Sequence, residues 1–116
     1  MRLSKSNGMP RDVIATPLFS RHLEGFLEEY ASKGATRFVE RLYAGYKEMA
    51  DNIAKNKHIG LAKRRTVKGK TITVRQYIVD AGARNFVVLY WVPPQKEQPI
   101  LLLNIRISGQ NRFRWN

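Results

Sequence analysis

Hydrophobic and polar positions change their period along this chain, and the changes mark its elements. Residues 1–10 are polar and basic and predict a loose arm. Val13 and Ile14 then make residues 12–15 a short strand ending at Thr16-Pro17. Threonine can cap a helix, and proline suits a first turn, where its missing N–H costs nothing. Phe19, Leu23, Phe26, Leu27 and Tyr30 follow at helical spacing, and Lys33-Gly34 supplies the stop. A second helix is expected over residues 36–55, with Val39, Leu42, Tyr43, Tyr46, Met49, Ala50 and Ile53 as its stripe. Two amphipathic helices so close in sequence predict an antiparallel hairpin with a shared apolar face.

From residue 61 the helical period is gone. Residues 61–70 read as a basic connector carrying Lys63, Arg64, Arg65, Lys68 and Lys70. Residues 71–80 alternate as a strand, with Ile72, Val74 and Ile78 on one side and Thr73, Arg75 and Tyr77 on the other. After a turn at Ala81-Gly82-Ala83, residues 85–92 form a strand that is apolar on both faces. Phe86, Val88, Tyr90 and Val92 share one face, and Val87, Leu89 and Trp91 share the other. Pro93-Pro94 stops the ladder. Residues 100–108 make a last strand, with Leu101, Leu103, Ile105 and Ile107 expected against the helices and Asn104 and Arg106 outward. The sum is an α+β domain of order β-α-α-β-β-β over residues 11–116: a curved, mainly antiparallel sheet with a helical hairpin on one face. A strand apolar on both faces needs cover on both, so a partner protein or the C-terminal tail must shield the second face.

Composition narrows the chemistry. The 116 residues include no cysteine and two histidines, His22 and His58, which removes thiolate sites and a multi-histidine metal centre. The longest apolar run, Phe86 to Val92, has seven residues, against about 20 for a membrane span. With no apolar stretch near Met1 to suggest a signal peptide, the expected compartment is the cytoplasm. The formal charge is +12 and unevenly spread: residues 1–60 hold 10 basic and 7 acidic side chains, residues 61–116 hold 11 and 2. The C-terminal half therefore asks for an acidic partner, whether nucleic acid or protein.

Basic and aromatic side chains on one sheet face can hold a nucleic acid, through charge on phosphates and stacking on bases. The expected outer face carries Arg75, Tyr77, Trp91, Asn104 and Arg106, flanked by the basic connector and the tail residues Arg112, Phe113, Arg114 and Trp115. Cleavage of RNA there would need cations for the phosphorane and a group to move the 2′-OH proton. Solvated arginines on an exposed face are the plainer reading. His58, just after a helix end, suits the helix dipole there, and His22 beside the first apolar stripe suits packing. Residues 67–71, Val-Lys-Gly-Lys-Thr, lack the leading glycine and the strand-to-helix setting of a phosphate loop.

Three stretches together resemble the RelE/ParE superfamily of toxins from type II toxin–antitoxin systems. Val13-Ile14-Ala15-Thr16-Pro17, running into Phe19, Leu23, Phe26 and Leu27, looks like the family's first strand and helix start. Phe86-Val87-Val88-Leu89-Tyr90-Trp91-Val92 looks like its central strand, and Ile105-Arg106-Ile107-Ser108-Gly109-Gln110-Asn111 like its closing strand and turn. Members generally begin just before the first strand, which makes Met9 a conceivable start. The resemblance implies a basic, growth-arresting protein neutralised by a cognate antitoxin, with no cofactor, metal or membrane.

Two targets occur in that superfamily. RelE-like members cut mRNA on the ribosome, and a site of that kind would draw on Arg75, Arg84, Arg106 and Arg112. ParE-like members have a longer helical hairpin and poison DNA gyrase. The position of the family's arginine in the central strand holds Val87, and no tyrosine follows the glycine turn, where Trp115 is the only comparable ring. These departures favour the gyrase branch. Its target surface would be Lys63, Arg64, Arg65, Lys68, Lys70, Tyr77, Trp91, Arg114 and Trp115. A nontoxic nucleic-acid-binding domain of the same fold is the third possibility.

Overall fold

A computed structural model of the chain describes residues 11–110 and 112–116. The expected arm over residues 1–10, Met9 and Asn111 lie outside them. Strand β1 (Val13–Ala15) leads into helix α1 (Pro17–Ser32), followed by α2 (Thr36–Lys55), β2 (Leu61–Val67), β3 (Lys70–Asp80), β4 (Asn85–Trp91) and β5 (Ile100–Ile107). The five strands form one mixed sheet in the order β1-β5-β4-β3-β2, antiparallel except where β1 runs parallel to β5. The protein is therefore α+β, with five strands and two helices among the described residues.

The helices start and stop where their residues require. The Thr16 hydroxyl oxygen accepts from the Phe19 N–H at 3.3 Å, and the same hydroxyl donates to the Leu102 carbonyl at 2.8 Å, tying the helix start to β5. Gly34, at φ 76°, breaks the chain between the helices in a conformation that costs other residues energy. The apolar stripes of both helices cover one face of the sheet. Phe19, Leu42, Met49 and Ile53 are fully buried there against Phe86, Val88, Tyr90, Ile100 and Leu102. Tyr43, placed in the α2 stripe by spacing, is instead about half exposed at 48 %, at the margin of that stripe.

Three expectations about the sheet need correction. The basic connector is a strand: β2 pairs along its whole length with β3, and a two-residue turn at Lys68-Gly69 joins them. Both turn residues have positive φ, 51° and 79°, the geometry that matches the twist of a hairpin. As an edge strand, β2 buries little and so carries no apolar alternation to read.

The two faces of β3 are also reversed. Tyr77 and Val79 pack into the core under the helices, whereas Ile72 and Val74 pack on the opposite face with Val87, Leu89 and Phe113. The third correction is in β5. Leu89 pairs with Asn104 and Tyr90 with Leu102, so Leu103 is an extra residue in a bulge. The bulge moves the alternation by one position. Ile105 and Ile107 face the helices as expected, but Leu102 joins them in place of Leu101 and Leu103, which turn to the other face. Asn104, expected outward, is completely buried.

Candidate target-binding face

The face of the sheet away from the helices is built by β2–β5 and the tail. Ile72, Val74, Leu89, Trp91, Leu101 and Leu103 make its apolar floor, with Trp115 at one side and Arg65, Lys68 and Lys70 along the β2–β3 rim. The groove they enclose has a volume of about 720 Å³. The tail supplies part of the cover that a doubly apolar β4 demands. Phe113 is buried on this face, and Trp115 beside it remains 51 % exposed.

Cations and rings interleave where the tail crosses. The Arg106 guanidinium lies 4.9 Å from the Phe113 ring centroid, and Arg65 lies 5.8 Å from Phe113 and 5.5 Å from Trp115. Such contacts are worth about 0.5–1 kcal/mol each at exposed sites. The tail is held from behind by Asn104 in the bulge. Its amide nitrogen donates to the Arg114 carbonyl, and its side-chain oxygen accepts from the Ile105 N–H at 2.8 Å and lies 2.8 Å from His22 Nδ1. His22 Nε2 in turn lies 3.2 Å from the main-chain oxygen of Asn116. His22 is thus a packed, tail-anchoring residue.

The structure gathers some of the sequence-derived site residues and scatters others. Arg65, Lys68, Lys70, Trp91 and Trp115 line the groove. Lys63, opposite Val74 in the ladder, shares that face, whereas Arg64, opposite Thr73, points to the other. Tyr77 is a core residue whose hydroxyl accepts from Asn52 Nδ2 at 2.9 Å. The Arg114 side chain lies with His22, Gly25 and Phe26 beside α1 rather than in the groove.

The four arginines of a ribonuclease site do not converge. Arg75 is on the helix side of the sheet, its Nη1 donating to the carbonyls of Gly60 at 2.8 Å and His58 at 3.2 Å. Arg106 is on the opposite side, spanning to the Gln110 carbonyl at 2.7 Å. Arg84 is exposed in the turn between β3 and β4, at the far end of that hairpin from Arg75, and Arg112 is exposed in the tail. Two of the four therefore brace the backbone, on opposite faces.

A second cluster of cations was not legible in the sequence. Arg11, Lys57, His58, Arg75 and Lys96 surround a cleft of about 410 Å³ with Thr73, Val92, Pro93 and Pro94. They come from four separate parts of the chain, and no local pattern announces them. Tyr90 underlies this corner. Its hydroxyl accepts from the Gly60 N–H at 2.9 Å and donates to the Lys57 carbonyl at 3.0 Å, and burial raises its pKa. The His58 pKa is lowered by desolvation and then by the neighbouring Arg75 and Lys57 charges.

Among the described residues no group of three or more His, Asp or Glu side chains could hold a metal ion, and no helix is long and apolar enough to cross a membrane. No family model, curated protein or solved structure matches the chain.

Proposed function

We propose that this chain is the toxin of a type II toxin–antitoxin module, of the RelE/ParE kind, acting in the cytoplasm and arresting growth by binding DNA gyrase rather than by cutting mRNA. The observation that carries the reading is the contrast between the two candidate sites. The groove offers a macromolecule an apolar floor with a cationic rim, whereas the four arginines of a nuclease site are divided between the two faces and the two ends of the sheet and do not gather around one phosphate. Apolar floor and charged rim are the anatomy of a protein-docking surface. The order of elements, with the first strand parallel to the last and both helices on one face, is compatible with that superfamily. The excess of positive charge after residue 60 suits an acidic antitoxin as the neutralising partner.

Two assays on the purified protein decide between the targets. Inhibition of gyrase supercoiling, together with an intact message in a reconstituted translation system, supports the proposal. Discrete ribosome-dependent cuts in the message, mapped by primer extension, overturn it in favour of the nuclease. Absence of growth arrest on expression, combined with tight binding to single-stranded nucleic acid, overturns it in favour of a nontoxic binding domain.

A further inference from the structure

On the helix side of the sheet, where β3 and β4 extend past the end of α2, the cleft of about 410 Å³ described above has no acidic residue in its lining among the described residues. Its walls are fixed. Arg11 donates to the carbonyls of Pro93, Gln95 and Gln98 at 3.2, 2.8 and 2.6 Å, which pins the loop after β4. The Tyr90 hydroxyl pins the opposite loop through Lys57 and Gly60. Arg75 is held at its base by Nη1, and its Nε and Nη2 groups have no protein acceptor among the described residues. A planar guanidinium oriented in this way presents a fork suited to phosphate oxygens. Thr73 adds a hydroxyl, and Lys57 and Lys96 add charges from the two loops.

We infer that this cleft is a phosphate-binding site, with Arg75 as the fixed ligand and Lys57, Lys96 and His58 closing on the anion. The site is separate from the groove, on the other face of the sheet, and does not depend on the gyrase reading. Its ligand is a phosphate group, carried either by a free phosphorylated small molecule or by a nucleic-acid backbone. The His58 pKa is lowered first by desolvation and then by the Arg75 and Lys57 charges, the second cause being the same positive field seen from the protein's side. The charged groups facing it are Arg75, Lys57, Lys96 and Arg11. Asp12 and Glu97 adjoin Arg11 and Lys96 in sequence but line no part of the cleft. A bound phosphate offsets the cations and raises the His58 pKa, so a phosphodiester, whose single charge does not titrate near neutral pH, should bind more tightly as His58 gains its proton.

The test is an NMR titration of the purified chain with inorganic phosphate at constant ionic strength, following both imidazoles. His58 should move saturably and titrate at higher pH with phosphate present, while His22 stays unchanged. Lys57→Ala and Lys96→Ala, both at exposed positions, should each weaken binding about 2- to 5-fold, the scale of one exposed ion pair. In a second arm, a single-stranded oligonucleotide without terminal phosphates shifts His58 at lower concentration if the natural source is a nucleic-acid backbone. A response to phosphate alone identifies a free phosphorylated molecule. A His58 response that sodium chloride reproduces, or no saturable response to either probe, overturns the site. Charge reversal at Arg65 and Lys70 in the groove should leave the phosphate titration unchanged.

Discussion

Asn104→Ala tests how the outer face is closed. Asn104 is fully buried in the bulge, and its side chain bonds the Ile105 N–H, approaches His22 and holds the Arg114 carbonyl. Each net hydrogen bond contributes about 1 kcal/mol, and a buried donor left without an acceptor costs about 1–3 kcal/mol. The expected loss is therefore roughly 2–4 kcal/mol, part of it belonging to the tail. Phe113, 7 % exposed, would resist release of the tail with about 1.5–3 kcal/mol of burial. Because these two terms are comparable, removing Asn104 should loosen the tail without freeing it in every molecule. The assay is urea denaturation in a Trp91→Phe background, where Trp115 alone reports on the tail. Asn104→Ala should lower the midpoint and produce an early Trp115 transition separate from the loss of helix. In a double-mutant cycle with Phe113→Ala, the two losses should fall short of additive by more than about 0.5 kcal/mol, since both act on one segment. Strict additivity would falsify the view that Asn104 acts through the tail.

Four further outcomes follow from the same geometry. Gly60→Ala should destabilise the protein by roughly 1–3 kcal/mol in urea denaturation, the usual cost of overpacking, because its Cβ would lie 2.8 Å from both the Gln76 carbonyl and the Tyr90 ring. Tyr90→Phe should cost about 1–3 kcal/mol by leaving the buried Gly60 N–H without its acceptor. Tyr90 also carries a pH signature: its pKa is raised by burial above the ordinary 10.0, so its contribution is complete below pH 10 and is lost as pH rises through the folded-state value. Unfolding scans in alkaline buffer should show a shallower loss for the phenylalanine variant. Gly69→Val should weaken the β2–β3 hairpin by about 1 kcal/mol or more, because φ 79° suits glycine and is a true outlier for a β-branched residue; hydrogen exchange would localise the loss to β2. Arg65→Glu with Lys70→Glu should reduce gyrase inhibition about tenfold or more, with a stability loss of about 1–2 kcal/mol from the two Arg65 ring contacts. Unchanged inhibition by the reversed rim would remove the groove from the mechanism.

Local chemistry was sufficient for the helices and the central strand. Thr16-Pro17, Gly34 and the 3.6-residue stripes are short-range signals, and the helices run over Pro17–Ser32 and Thr36–Lys55, as those signals require. The faces of β4 were legible too, because Phe86, Val88 and Tyr90 alternate with Val87, Leu89 and Trp91 without interruption. Need for cover on its second face also followed from alternation alone, and Phe113 meets part of it. Tertiary pairing decided the rest. Nothing in Lys63, Arg64 and Arg65 favours a strand until β3 offers a ladder and Lys68-Gly69 a tight turn. Ile72 and Tyr77 carry comparable apolar surface, so only the register against β4 determines which of them meets the helices. One extra residue at Leu103 shifts the period of β5 and inverts Leu101, Leu102 and Leu103, a change that no alternation rule contains. The cationic cleft is the furthest from local reach: Arg11, Lys57, Arg75 and Lys96 are brought together by the order of strands, because periodicity says which way a side chain faces but not what it faces.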